Sequence, residues 1–214
     1  MKVAAVIPAY NEDKRLGGVL ETVLQVPCVH EVIVVSDGSK DNTYQVACSF
    51  DGVRAFQLEV NAGKGGALYE GVRQTDAEII VFLDADLEGL KPVHVEKLVK
   101  PVAECGADMC IGVFRGGRWF TTLSQIISPN ISGQRAIKRE LFLKVPHVVE
   151  SRFGIEVKIN KFFRRKGYTV KRVVLHGVTH TVKEAKIGKI KGSFARMRMY
   201  AEILKVYFFN SHGN

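Results

Sequence analysis

Long apolar runs are missing from this chain. None approaches the roughly 18–20 consecutive apolar residues that a helix needs to cross a bilayer, so no spanning helix is expected. Cysteine is scarce, and Cys28, Cys48, Cys105 and Cys110 show neither metal-ligand nor redox spacing. That excludes a zinc cluster or disulfide framework and points to free thiols in a reducing compartment. Low-complexity segments and Pro/Gly/Ser-rich linkers are absent, which argues for one domain over residues 1–214. The Walker A and Gly-x-Gly-x-x-Gly phosphate loops do not occur; the glycine-rich stretch Asn61-Ala62-Gly63-Lys64-Gly65-Gly66 matches neither. Met1-Lys2-Val3 runs straight into strand-like sequence with no signal-peptide pattern, and a cytoplasmic protein is expected.

What remains is ordinary globular material with unevenly placed charge. The chain is 46% hydrophobic and 25% charged, enough for one large α/β domain with a real core. Its net charge of +9 sits towards one end: residues 161–214 carry 13 Lys/Arg against 2 Asp/Glu, and residues 1–160 carry 18 against 20. A basic C-terminal quarter suits an anionic partner, whether phosphorylated substrate, anionic lipid surface or nucleic acid.

Short apolar runs alternate with helix-like segments. Val3-Ala4-Ala5-Val6-Ile7 reads as a first buried strand ended by Pro8, and Asn11 as the cap of a helix over about 12–24. Val32-Ile33-Val34-Val35 makes the second strand, Asp37-Gly38-Ser39 turns the chain, and Asp41 or Asn42 caps a helix to about Ser49. A third strand over 53–58 leads into the glycine-rich loop and a helix to Gln74. After the fourth strand, Pro92 suits the first turn of a helix to Cys105, and 108–113 is a fifth strand. This β-α repetition predicts a mostly parallel sheet flanked by helices. Further on, 138–144 and 155–165 read as helices and 169–175 as a strand. A final helix at about 193–209 sets Phe194, Met197, Ala201, Leu204 and Phe208 opposite Lys191, Arg198, Glu202 and Lys205. Such a helix docks on its own domain or lies on a membrane surface.

The fourth strand carries the chemistry. Ile79-Ile80-Val81-Phe82-Leu83 has the composition of a strand buried on both faces, and Asp84-Ala85-Asp86 follows at once. Ligands bind at the carboxyl ends of strands in open α/β sheets. Two carboxylates flanking a small residue suit one hard divalent cation, Mg²⁺ or Mn²⁺, whose shell substrate phosphates complete.

Four ordered motifs then stand at the ends of four successive strands: Val6-Ile7-Pro8-Ala9-Tyr10-Asn11-Glu12; Val34-Val35-Ser36-Asp37-Gly38-Ser39 with Asp41-Asn42-Thr43; Asn61-x-Gly63-Lys64-Gly65-x-Ala67-Leu68; and Phe82-Leu83-Asp84-Ala85-Asp86-Leu87. Together they resemble the family 2 glycosyltransferases of GT-A (Rossmann-like) fold. Ser132-Gly133-Gln134-Arg135 and Phe153-Gly154-Ile155-Glu156 resemble segments of the dolichyl- or polyprenyl-phosphate sugar synthase branch. The resemblance implies a nucleotide-diphosphate sugar donor, with residues 1–113 as its half and 114–192 as the acceptor half. It also implies that Pro8, Tyr10 and Glu12 line the base and ribose pocket, that Asp37 accepts from a base N–H, and that Lys64 neutralises the diphosphate. Asp84, beside Ala85, would sit near ribose or metal, and Asp86 would bind the metal. Glu88 falls where that branch usually carries an amide ligand, and His180 is the candidate for a late histidine ligand. Family 2 resemblance further suggests inversion at the sugar.

For the acceptor, the resemblance points to Arg115 and Arg135, whose guanidinium forks match phosphate geometry. Glu156 is expected as a base or as an orienting group. A lipid-linked phosphate acceptor, with peripheral contact to the inner face of the membrane through the basic tail, is the leading expectation. A soluble phosphorylated acceptor is the close alternative, and a homodimer is left open. Two other classes compete. A sugar nucleotidyltransferase usually has a glycine-rich, basic loop after the first strand, which Pro8-Ala9-Tyr10-Asn11-Glu12 lacks. A nucleic-acid-binding module would use the basic tail, but no recognised motif accompanies the charge.

Overall fold

The computed structural model describes residues 1–115, 132–151 and 154–180. The expected amphipathic helix at 193–209 lies outside the described residues, as does the basic loop before it. In chain order the elements are β1 (Val3–Ala9), α1 (Leu16–Val23), β2 (Glu31–Asp37), α2 (Thr43–Cys48), β3 (Val53–Leu58), α3 (Gly63–Arg73), β4 (Ile79–Phe82), β5 (Leu87–Glu88), α4 (Pro92–Ala103), β6 (Met109–Arg115), β7 (Arg135–Lys138), α5 (Arg139–Phe142), α6 (Ile155–Lys166), β8 (Val170–His176) and β9 (Thr179–His180). A seven-stranded sheet runs β3-β2-β1-β4-β7-β6-β8, and β5 pairs with β9 in a second, two-stranded one.

Strand alternation divides the core in two. Val3, Ala5 and Ile7 of β1 face α1 and α4, packing with Leu16, Leu20, Val95 and Leu98. Ala4 and Val6 face the other way, towards Leu68 and Val72 of α3, Phe142 of α5, and Ile155 and Phe163 of α6. A central strand apolar at every position is therefore what a sheet covered on both faces demands. Burying each such Val, Leu or Ile contributes about 1.5–3 kcal/mol, which favours the layered arrangement over any exposed alternative.

The expected mostly parallel α/β architecture is what forms, with local differences. β1 does not stop at Pro8, which pairs in register with Val35. The ladder to β4 ends at Val6 and Phe82, so beyond that point β1 has one neighbour and a residue without N–H is tolerated. Asn11 does not cap α1: its φ is 56°, and its side chain accepts a hydrogen bond from Lys40 N at 2.8 Å. It ties the end of β1 to the loop before α2, and α1 starts later, at Leu16. β7, missed in the sequence reading, is antiparallel to both β4 and β6.

Candidate active site

The topology brings the motifs to one edge. β1, β2, β3 and β4 pair in parallel, so their carboxyl ends lie together, and the strand order reverses between β1 and β4. That is the switch point at which open α/β sheets bind ligands. Because β7 is antiparallel and pairs its first residue, Arg135, with Phe82 at the end of β4, it starts at that edge and delivers residues 132–134 there. β9 is brought in by pairing Leu87 with His180.

Asp84 stands at the centre. Its Oδ1 is 2.6 Å from Lys64 Nζ, and its Oδ2 accepts a hydrogen bond from Gln134 Nε2 at 2.8 Å. Lys64 also donates to Glu156 Oε1 at 2.7 Å, so the ammonium lies between two carboxylates. On the other side, His180 Nε2 is 3.8 Å from Asp84 Oδ2 and its Nδ1 is 3.1 Å from Asp86 Oδ1. Phe114 packs against the imidazole, ring centroids 5.1 Å apart.

Charge explains why these groups coexist. Burial penalises an ionised Asp84, but Lys64 and His180 hold its carboxyl well below the usual range. Burial likewise opposes an ionised Glu156, and Lys64 and Arg135 lower its pKa. Lys64, despite burial, is kept charged by Asp84 and Glu156 and titrates above the ordinary lysine value. For His180 burial is outweighed by the hydrogen bond to Asp86 and by both aspartate charges, which raise its pKa.

Ligand atoms of Asp84, Asp86 and His180 all lie within 4.8 Å of one another. In an octahedral shell with bonds of about 2.1 Å, neighbouring ligand atoms are about 3 Å apart and opposite ones about 4.2 Å. The triad lies within a few tenths of an ångström of the spacing one divalent ion would need, and its oxygen majority suits Mg²⁺ or Mn²⁺. Glu88 is exposed, pairs with Thr179 in the β5–β9 ladder, and does not belong to that triad.

The remaining expected residues are distributed as follows. Tyr10 is 46% exposed just beyond the end of β1, and Pro8 is half-buried within that strand. Glu12 is 3.4 Å from Arg15, and its N–H donates to Thr43 Oγ1. Asp37 is buried, and its two carboxylate oxygens accept from Ala62 N at 2.7 Å and Gly63 N at 3.0 Å. Holding these two N–H groups, it caps the start of α3, the helix that carries Lys64. Ala85 is buried between the two aspartates. Arg115 ends β6 as an exposed side chain at the same edge, its carbonyl accepting from Gly177 N at 2.9 Å.

Arg135 departs from expectation. Expected to meet an acceptor, it is only 1% exposed. Its guanidinium donates to the Ser132 carbonyl and, at 3.2 Å, to Asn160 Oδ1. Burial lowers its pKa to about 10, against the charges of Glu156 and Asp84. It braces the site from beneath. Gln134 and Ser132 were given no role in the sequence reading. The available signal was a polar Ser132-Gly133-Gln134 step leading into the apolar Ala136-Ile137 of a strand.

The sequence comparisons agree with this geometry. The family model "Glycosyl transferase family 2" matches residues 4–163. The chain belongs to that family. It is 34% identical over 200 residues to undecaprenyl-phosphate 4-deoxy-4-formamido-L-arabinose transferase of Serratia proteamaculans (strain 568), covering 82% of this chain and 60% of that one. It is 39% identical over 114 residues to human dolichyl-phosphate beta-glucosyltransferase, covering 46% of this chain and 35% of that one. The chain thus spans 35–60% of the length of these curated relatives. Among solved structures, glucosyl-3-phosphoglycerate synthase from Mycobacterium tuberculosis in complex with Mn²⁺, UDP and glucosyl-3-phosphoglycerate superposes with a TM-score of 0.73 at 26% identity, covering 96% of this chain and 79% of that one.

Proposed function

We propose that this family 2 chain is a metal-dependent glycosyltransferase that moves a sugar from a nucleotide-diphosphate sugar to a phosphorylated acceptor. The observation that carries this reading is the convergence of Asp84, Asp86 and His180 within 4.8 Å at the sheet's switch point, beside Lys64. In the reaction an acceptor oxygen attacks the anomeric carbon, the bond from that carbon to the diphosphate breaks, and its electron pair leaves with the diphosphate. A divalent cation held by the triad supplies the electrostatic stabilisation of that departing charge. Tyr10 and Pro8 offer a surface for the base, Asp84 and Glu156 hold the Lys64 ammonium, and Asp37 fixes the backbone at the start of its helix. Residues 1–113 act as the nucleotide half and 114–192 as the acceptor half of one domain.

The state of Glu156 bears on the acceptor. A carboxylate 2.7 Å from an ammonium and with a lowered pKa is a weak base, and its role is to orient Lys64. An acceptor phosphate is already anionic and needs no base. This favours an acceptor whose attacking oxygen belongs to a phosphate, as in a polyprenyl phosphate. With a lipid-linked acceptor, the basic C-terminal quarter provides peripheral contact with an anionic membrane surface; among the described residues no helix is long and apolar enough to cross a membrane. The second reading, a soluble phosphorylated acceptor, is supported by the likeness to the glucosyl-3-phosphoglycerate synthase, also solved with phosphoglyceric acid.

The test is transfer from a panel of UDP-, GDP-, CDP- and TDP-sugars to polyprenyl phosphate in detergent or to 3-phosphoglycerate in buffer. The reading requires transfer to one acceptor that needs Mn²⁺ or Mg²⁺, stops with chelator, and is lost in Asp86→Ala. Metal-independent transfer, or full turnover by a folded Asp86→Ala variant, contradicts it.

A further inference from the structure

Asp84 has a conflict to resolve. An ammonium at 2.6 Å from one oxygen attracts both, and a carboxylate rotated to chelate Lys64 turns away from Asp86 and His180. What opposes that rotation is a strap formed by residues 132–134. Gln134, fully buried, donates its amide N–H to Asp84 Oδ2 at 2.8 Å, the oxygen that lies 3.8 Å from His180 Nε2. The amide's own orientation is set by Ser132, whose hydroxyl donates to Gln134 Oε1 at 3.0 Å. The acceptor-only carboxylate selects the N–H end of the amide, and the Ser132 hydroxyl, donating to Oε1, holds the amide in that orientation.

The strap is anchored on both sides. Arg135 holds the Ser132 carbonyl, and Gly112 N donates to the Gln134 carbonyl at 2.9 Å. Between them Gly133 passes so close to the charged groups that a Cβ there would lie 2.6 Å from Lys64 Nζ and 2.7 Å from Asp84 Oδ2. A side chain there would have to displace the Lys64 ammonium and the Asp84 carboxylate from where they stand.

Resting on the proposed metal-dependent reading, we propose that Gln134, aimed by Ser132, is a positioning residue that fixes the Asp84 carboxylate for cation binding. It assigns one oxygen to Lys64 and keeps the other turned to the site of the ion. Partners of metal ligands that act through such a hydrogen bond shift metal affinity by about 10–100-fold when removed.

The experiment is a calorimetric titration of Mn²⁺ alone into the 214-residue chain, comparing wild type, Gln134→Met, Ser132→Ala, Ser132→Thr and the Ser132→Ala/Gln134→Met double variant, with Asp86→Ala as the non-binding control. Gln134→Met keeps the side chain's length without a donor, and its Mn²⁺ affinity is expected to fall at least about 10-fold. Ser132→Ala falls by less, Ser132→Thr restores the hydroxyl and the affinity, and the double variant is no weaker than Gln134→Met, because both act through one bond. Wild-type affinity in Gln134→Met overturns the proposal, as do losses that multiply in the double variant. If Gln134→Met does not fold by circular dichroism, Ser132→Ala against Ser132→Thr carries the same test, and equal affinity in these two overturns it. Absence of Mn²⁺ binding by wild type, by contrast, sinks the metal-dependent reading itself.

Discussion

Replacing Lys64 with methionine removes the charge that lets Asp84 and Glu156 stay ionised side by side. In wild type the ammonium lies 2.6 Å from one carboxylate and 2.7 Å from the other, with side-chain exposures of 29% for Lys64, 18% for Asp84 and 12% for Glu156. Breaking a fully buried ion pair costs about 3–5 kcal/mol; partial exposure, and the partners that remain at Gln134 and Arg135, reduce this to about 2–3 kcal/mol. For a chain of this size that corresponds to a fall in Tm of roughly 4–12 °C. The pH dependence gives the sign. Both carboxylates have folded pKa values below their unfolded ones, so their contribution is fully present above about pH 5 and is lost as pH falls. In Lys64→Met this contribution is gone, so the gap to wild type is full at pH 7 and narrower at pH 4. Urea denaturation of metal-free protein at both pH values measures it. A loss below about 0.5 kcal/mol at pH 7, or one that is the same at pH 4, refutes the reasoning.

Other perturbations probe the surroundings. At Gly65 a Cβ would lie 2.2 Å from the Val148 carbonyl oxygen and 2.6 Å from that of Ser151, so Gly65→Ala forces α3 away from the 148–151 loop and destabilises by about 1–3 kcal/mol; an unchanged urea midpoint contradicts this. Arg135→Lys is expected to lose about 1–3 kcal/mol, because one ammonium does not reproduce a guanidinium serving Ser132 and Asn160 together; chemical denaturation at wild-type strength counts against the bracing role. Cys110 is fully buried and its thiol is pushed up to about 12 by burial, so brief alkylation at pH 8 followed by peptide mass spectrometry should modify exposed Cys48 and Cys105 and spare Cys110 until the protein is unfolded. Equal labelling of all three contradicts that burial.

The nucleotide half of the fold was legible because its signals are local. Apolar runs such as Val3 to Ile7 and Ile79 to Leu83 mark buried strands, and Asp84 and Asp86 follow a strand end where parallel topology puts ligands. Boundaries failed where tertiary context overrides local rules: Pro8 stays in β1 because one neighbour strand has ended, and Asn11 serves a long-range bond to Lys40 instead of a helix cap. The antiparallel insertion of β7 was not readable, since four residues, Arg135 to Lys138, carry little periodicity and their register depends on both flanking strands. The burial of Arg135 shares that cause. An arginine two residues after a glycine looks like a phosphate ligand in one dimension; only the fold shows its guanidinium turned to Ser132 and Asn160. His180 joins Asp86 across 94 positions through the β5–β9 pairing, which two-residue strands do not announce.

The most direct measurement is a thermal-shift comparison of UDP, GDP, CDP and TDP, each with and without Mn²⁺, on wild type and Asp86→Ala. A ligand that binds only the folded chain raises Tm by mass action, about 2.7 kcal/mol of stabilisation at one hundred times its Kd. The account predicts stabilisation by one nucleotide diphosphate that requires Mn²⁺ in wild type and disappears in Asp86→Ala. Nucleotide stabilisation that is indifferent to Mn²⁺ and unchanged in Asp86→Ala would contradict it.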